Sequence, residues 1–210
     1  MPFDKPIVCP VLIGRGPQIE WLARVVDEVR TGKGQTLLVT GEAGIGKSRL
    51  VAEAKADAER LGLTVIQGHC FESDRSLPYA PLLDLLRTYL AQCPPEEIAL
   101  RLGSAAAELV KILPELGALL PAVTPTTALD AEQEKRRIFQ ALTQVFAQVT
   151  GNQPLLAIVE DVHWSDDTSL EFLRYLARGI AAQPMLLLLT YRQDETPPPL
   201  RHLLTELDRE

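Results

Sequence analysis

The sequence predicts an α/β fold, a three-layer α/β/α sandwich on a mainly parallel sheet. Three observations carry that expectation. Apolar runs of strand length alternate with amphipathic helical stretches, the pattern of a parallel sheet covered on both faces. A glycine-rich octapeptide, Gly41-Glu42-Ala43-Gly44-Ile45-Gly46-Lys47-Ser48, separates the first such run from the helix after it. A later apolar run, Leu155 to Val159, ends in two acids, Glu160 and Asp161.

The elements follow in chain order. Pro17 to Arg30 places Ile19, Leu22, Val25, Val26 and Val29 at helical spacing. Gln35 to Thr40 reads as a buried strand, and Arg49 to Leu61 as a helix with Leu50, Val51, Ala54, Ala58 and Leu61 on one face. Leu63 to Gln67 is a second strand, closed by Gly68. Pro78 to Ala91 and Pro95 to Leu113 read as two helices, followed by a loop-rich passage marked by Pro114, Pro121 and Pro125. Asp130 to Val149 is a long helix with Ile138, Leu142, Val145, Phe146 and Val149 as its stripe. The third strand, Leu155 to Val159, is entered through Gly151-Asn152-Gln153-Pro154. A helix from Thr168 to Ala177 has Asp166 or Asp167 as its N-cap. Met185 to Thr190 is a fourth strand, and Pro197-Pro198-Pro199 breaks the chain before a last helix, Leu200 to Leu207. The helical passage between the second and third strands is long, so a helical excursion is expected at one side of the sheet.

Bulk properties bound the function. The 210 residues suit one large domain or a small pair. We divide them into an N-terminal segment, 1–34, and a core, 35–208. A net charge of −7 argues against this segment gripping DNA or RNA, which rests on phosphate neutralisation. Cys9, Cys70 and Cys93 are far apart and lack metal spacing. Met1 to Ile13 is no signal peptide, being broken by Pro10, and no apolar run reaches membrane-spanning length. A cytoplasmic protein without a membrane partner is expected.

The octapeptide fits G-x-x-x-x-G-K-[ST], the P-loop that holds nucleotide phosphates. Gly41, Gly44 and Gly46 let the backbone curl close to a phosphate, so successive N–H groups form an anion nest. Lys47 supplies positive charge at the β- and γ-phosphates, and Ser48 a hydroxyl for Mg²⁺. Glu42, Ala43 and Ile45 need supply only backbone, and Arg49 is counted with the same site. The fold class thereby narrows to a P-loop NTPase sandwich, with ATP and Mg²⁺ expected.

Leu155-Leu156-Ala157-Ile158-Val159-Glu160-Asp161 supplies the acidic partner, a strand whose acids emerge where ligands bind in open α/β sheets. One register gives Glu160 the Mg²⁺, through its water shell, and leaves Asp161 to orient or activate the attacking water. The other puts Asp161 on the metal and leaves the base unassigned. The fourth strand leads into Thr190-Tyr191-Arg192, where a fixed guanidinium can fork two bonds onto a γ-phosphate.

Leu12-Ile13-Gly14-Arg15, the P-loop, Glu160-Asp161-Val162-His163-Trp164-Ser165-Asp166 and Thr190-Tyr191-Arg192 occur in this order. The set resembles the STAND class of signal-transduction ATPases, above all the AAA-type module of large LuxR-family transcriptional regulators and related bacterial signalling proteins. Leu77-Pro78-Tyr79-Ala80-Pro81 is similar to that module too. The resemblance implies that Gly14 and Arg15 lie near the adenine and that Arg192 senses the γ-phosphate. It implies that His163 and Trp164 sit beside the site, although core packing explains a Trp equally well. It implies strands in the spatial order Gln35, Met185, Leu155, Leu63, and an ATP-driven, often oligomeric, switch. DNA binding would fall to a domain beyond Glu210, and a C-terminally truncated module is expected. The chain departs from the pattern where Gly16 and Gln18 replace acidic residues, and where Glu160 stands in place of the commoner Asp.

Two rival functions share these motifs: a nucleotide-binding module without hydrolysis, and a P-loop kinase acting on a small molecule. Lys135-Arg136-Arg137 has the composition of an arginine finger but reads better as a solvated helix face.

Overall fold

Strands β1 (Gln35–Thr40), β2 (Thr64–His69), β3 (Leu155–Glu160) and β4 (Met185–Tyr191) form one parallel sheet in the order β1-β4-β3-β2. This is the order implied by the resemblance. It comes from a computed structural model that describes residues 16–124, 126–127 and 130–208. Gly14 and Arg15, expected on the adenine side, lie outside the described residues.

The central strands β3 and β4 are buried on both faces, which is why each reads as an unbroken apolar run. Their alternate side chains feed two cores. Leu156, Ile158, Leu186 and Leu188 pack under α1 (Gly16–Arg30) and α2 (Lys47–Arg60), against Leu22, Val26, Val51 and Ala54. Leu155, Ala157, Val159, Leu187 and Leu189 pack on the opposite face. That face carries α3 (Ala80–Leu90), α4 (Ile98–Leu102), α5 (Ala106–Ile112), α6 (Glu115–Leu119), α7 (Ala131–Asn152), α8 (Asp167–Gly179) and α9 (Pro198–Leu207). The excursion between β2 and β3 is therefore the thick layer of the sandwich.

Several boundaries differ from the sequence reading. The helix expected over Pro95 to Leu113 is broken into α4 and α5 by short 3-10 turns at Pro95–Glu97 and Gly103–Ala105. Gly103 adopts φ 52°, which lets the chain turn so that Leu102 and Leu109 are both buried. The loop-rich passage contains the short α6, anchored by buried Leu116. The last helix starts at Pro198, because a first-turn proline lacks only an N–H that has no intrahelical partner. Asp130 caps α7 by accepting from the Gln133 N–H, and Asp166 caps α8 by accepting from Ser169.

The basic run on α7 is engaged in ion pairs. Lys135 pairs with Glu132 and with Glu171 of α8, while Arg137 faces Glu108 of α5 at 3.5 Å. Among the described residues, no helix is long and apolar enough to cross a membrane.

Candidate nucleotide site

β1 delivers the chain into the glycine loop, and α2 begins at Lys47. Gly44 and Gly46 take φ of 73° and 99°, left-handed values that side-chain-bearing residues adopt only with strain. Gly46 at the N-cap places no side chain over the first turn of α2, where N–H groups lack intrahelical acceptors. The Lys47 side chain is nearly buried and folds back, its Nζ donating to the carbonyls of Gly41 at 2.9 Å and Glu42 at 3.0 Å. A phosphate oxygen would offer that ammonium an acceptor of opposite charge in place of these neutral carbonyls.

A cleft of about 270 Å³ opens over this loop, lined by Ala43, Gly44, Gly46, Lys47, Ser48, Arg49, Asp161 and Arg192. Three chain segments meet there: the glycine loop, the end of β3 and the end of β4. Gly41 sits beneath, as an acceptor for Lys47, and Ile45 is half exposed. A larger hollow of about 630 Å³, lined by Thr64, Tyr89, Arg101 and Gln148 among others, contains none of the residues expected to bind nucleotide. Ligands of open α/β sheets sit at the carboxyl ends of the strands, where the smaller cleft is.

The two adjacent acids diverge. Glu160 is the last residue of β3, and strand alternation puts it on the same sheet face as Leu156 and Ile158, which Gln67 of the neighbouring β2 shares. Its Oε1 accepts from the Gln67 amide at 2.6 Å and stands 3.5 Å from His69 Nε2. Asp161 leaves the strand in a left-handed conformation, φ 58° and ψ 44°. Its N–H donates to Thr190 Oγ1 at 2.9 Å, a bond from the end of β3 to β4. That turn sends the Asp161 side chain into the cleft while Glu160 stays on Gln67.

Arg192 donates through Nη1 to Glu195 Oε1 at 2.6 Å, and this bond raises its already high pKa. His163 is completely buried behind the site, between Asp161 and Glu195. Burial lowers its pKa; the two carboxylates oppose that shift, and Arg192 and Lys47 add to it. Trp164 packs rather than lining the cleft. Arg75 lies over its ring at 5.0 Å and donates to the His163 carbonyl at 3.1 Å.

Sequence reasoning passed over Gln67, Arg75 and Glu195, and gave Thr190 no role of its own. Only Glu195 left a local signal, as an acid three residues after Arg192.

A glycine cradle at the carboxyl edge of a parallel sheet, with one strand inserted between it and an acid-tipped strand, defines the class: a P-loop nucleotide-binding α/β protein. The chain belongs to the AAA ATPase domain family, which matches residues 11–189. It is 29% identical over 197 residues to an uncharacterised protein of Rhizobium meliloti, covering 86% of this chain and 18% of that protein. The chain thus spans under a fifth of that curated relative's length. Two solved structures are similar to it. The ORC2 protein of Aeropyrum pernix, described in ADPNP and ADP complexes, aligns at 16% identity and TM-score 0.49, over 97% of this chain and 48% of that one. Drosophila ORC bound to GC-rich DNA and Cdc6 aligns at 13% identity and TM-score 0.40, over 95% and 60%.

Proposed function

We propose that this chain is an ATP-binding module that hydrolyses ATP slowly and acts as a regulatory switch within a larger signalling or transcription-regulatory protein. One observation carries the reading: Lys47, Asp161 and Arg192 come from three segments and line a single cleft over the glycine loop. The STAND-like motif order and the small share of the relative that the chain covers support the larger context.

The residues divide the work. The loop amides and Lys47 hold the phosphates, and Arg192 meets the terminal one. Asp161, the acid that already faces the cleft, orients the attacking water. Ser48 suits Mg²⁺, with Glu160 reaching its water shell once the Gln67 bond is given up. Mg²⁺ is commonly held by one or two carboxylates together with substrate phosphates, where it neutralises developing charge. Among the described residues, no three His, Cys, Asp or Glu side chains gather as a separate metal cage. On the same reading Gly14 and Arg15 serve the adenine side, and ATP occupancy promotes self-association. DNA contact, where the parent protein makes it, belongs to another domain.

Calorimetry with Mg·ATP and a phosphate-release assay test the reading. The wild-type chain binds ATP and releases phosphate at below about one turnover per second, the slow end of enzyme rates. Lys47→Ala abolishes binding; wild-type affinity in that variant would remove the site assignment. The Glu160–Gln67 bond favours a second reading, binding without hydrolysis. Saturable binding with no phosphate release selects it.

A further inference from the structure

His163 has no part in the reading above, yet its placement demands one. It is wholly buried, and neither ring nitrogen has a hydrogen-bond partner among the described residues. Buried polar groups are nearly always paired, so an orphaned imidazole points to a second arrangement in which it is paired. Its Nδ1 lies 3.9 Å from Asp161 Oδ1, and its Nε2 lies 3.8 Å from Glu195 Oε2. Both gaps are too long for hydrogen bonds, and a shift of about 1 Å closes either. Glu195 is occupied on its other oxygen by Arg192. Arg192, Glu195, His163 and Asp161 thus form a path behind the cleft whose two ends line it.

We propose that His163 is a positioning residue that couples terminal-phosphate binding at Arg192 to the orientation of Asp161, a role resting on the ATP reading above. A neutral imidazole has one N–H and cannot donate to both carboxylates. While Arg192 neutralises Glu195, Asp161 is the stronger acceptor and the proton belongs on Nδ1. A terminal phosphate that draws Arg192 away leaves Glu195 without its cation. The Nδ1 proton passes by way of the Asp161 carboxylate to solvent in the cleft, Nε2 takes a proton from solvent by way of the Glu195 carboxylate, and the net charge of the ring is unchanged. Nε2–H donates to Glu195, and Nδ1 presents a lone pair to the Asp161 carboxylate. Repulsion turns that carboxylate from His163 toward the cleft. Only the side chain moves, because Thr190 holds the Asp161 N–H. The surrounding charges are Asp161, Glu195, Arg192 and Lys47 around the ring, with Arg75 on the backbone carbonyl.

The test is the ¹⁵N spectrum of histidine-labelled protein with Mg²⁺ and either a slowly hydrolysed ATP analogue or ADP. His69→Gln and His202→Gln assign the remaining signal, both side chains being exposed. The protonated nitrogen of His163 is expected to change from Nδ1 to Nε2 with the ATP analogue and not with ADP. Glu195→Gln abolishes the change. His163→Phe lowers kcat roughly tenfold to a hundredfold, typical of losing a partner that orients a reacting group, and leaves KM for ATP within about threefold. One tautomer throughout, with calorimetry showing that the analogue binds, overturns the inference alone. No binding of either nucleotide removes the ATP reading and the inference with it.

Discussion

Thr190 holds Asp161: the Asp161 N–H donates to Thr190 Oγ1 at 2.9 Å, joining the end of β3 to β4. The bond fixes a residue in a left-handed conformation that costs an L-residue about 1–2 kcal/mol. Thr190→Val keeps the shape and removes the acceptor, leaving the amide unpaired. Chemical denaturation should show a loss of about 1–3 kcal/mol, with turnover reduced. Thr190→Ser retains the hydroxyl and should lose much less. Equal losses in the two variants would show that packing, rather than the bond, holds the turn.

Asp161→Asn is a sharper probe of chemistry than of fold, because Asn tolerates left-handed backbone. ATP affinity should stay within about threefold while turnover falls on the order of a hundredfold, the lower range for losing a general base. Unchanged turnover in the phosphate-release assay would transfer the role to Glu160.

Gly68 lies in β2 where α3 crosses it, and a Cβ there would collide with the Pro81 carbonyl oxygen. Gly68→Ala must push α3 from the sheet and should destabilise by about 1–3 kcal/mol in urea titration. Gly151→Ala, near the end of α7 with open space around it, serves as the comparison and should be neutral or slightly stabilising. Similar stabilities would mean that α3 accommodates the methyl.

Cys70 is buried beside Ser165, and burial pushes its thiol pKa up to about 12. At pH 8 the thiolate fraction is on the order of one in ten thousand, so the group should resist alkylation. In a Cys9→Ser, Cys93→Ser background, modification should require unfolding. The raised pKa means the folded state holds this proton more tightly than the unfolded chain. Its stabilising contribution is full below the ordinary thiol pKa of about 8.5 and declines as pH rises beyond it. Rapid labelling of native protein at pH 8 would contradict the burial.

The legible parts of the fold were those with short-range causes. β1, β3 and β4 were visible as apolar runs, although β1, at the sheet edge, is mostly half-buried rather than buried as expected; α7 was visible by periodicity and α8 by its capping aspartate. The α4–α5 break was hidden, since its helix-like apolar spacing continues through Gly103 and only tertiary packing rewards the turn there. At the site, the glycine loop was legible because its φ demands select glycine locally. The partners of the two acids were not: Gln67 lies 93 residues before Glu160, and Thr190 lies 29 after Asp161.

Residue pattern alone therefore specified the glycine loop, the acid-tipped strand and the alternation that makes a parallel sandwich. These depend on backbone conformations and spacings confined to a few neighbouring residues. Three-dimensional packing decided which acid enters the cleft, which carboxylate holds Arg192, and that the buried His163 imidazole lies between Asp161 and Glu195. Those outcomes follow from one left-handed residue at the end of β3 and from β4 lying beside it, relations that arise only when distant segments are folded together.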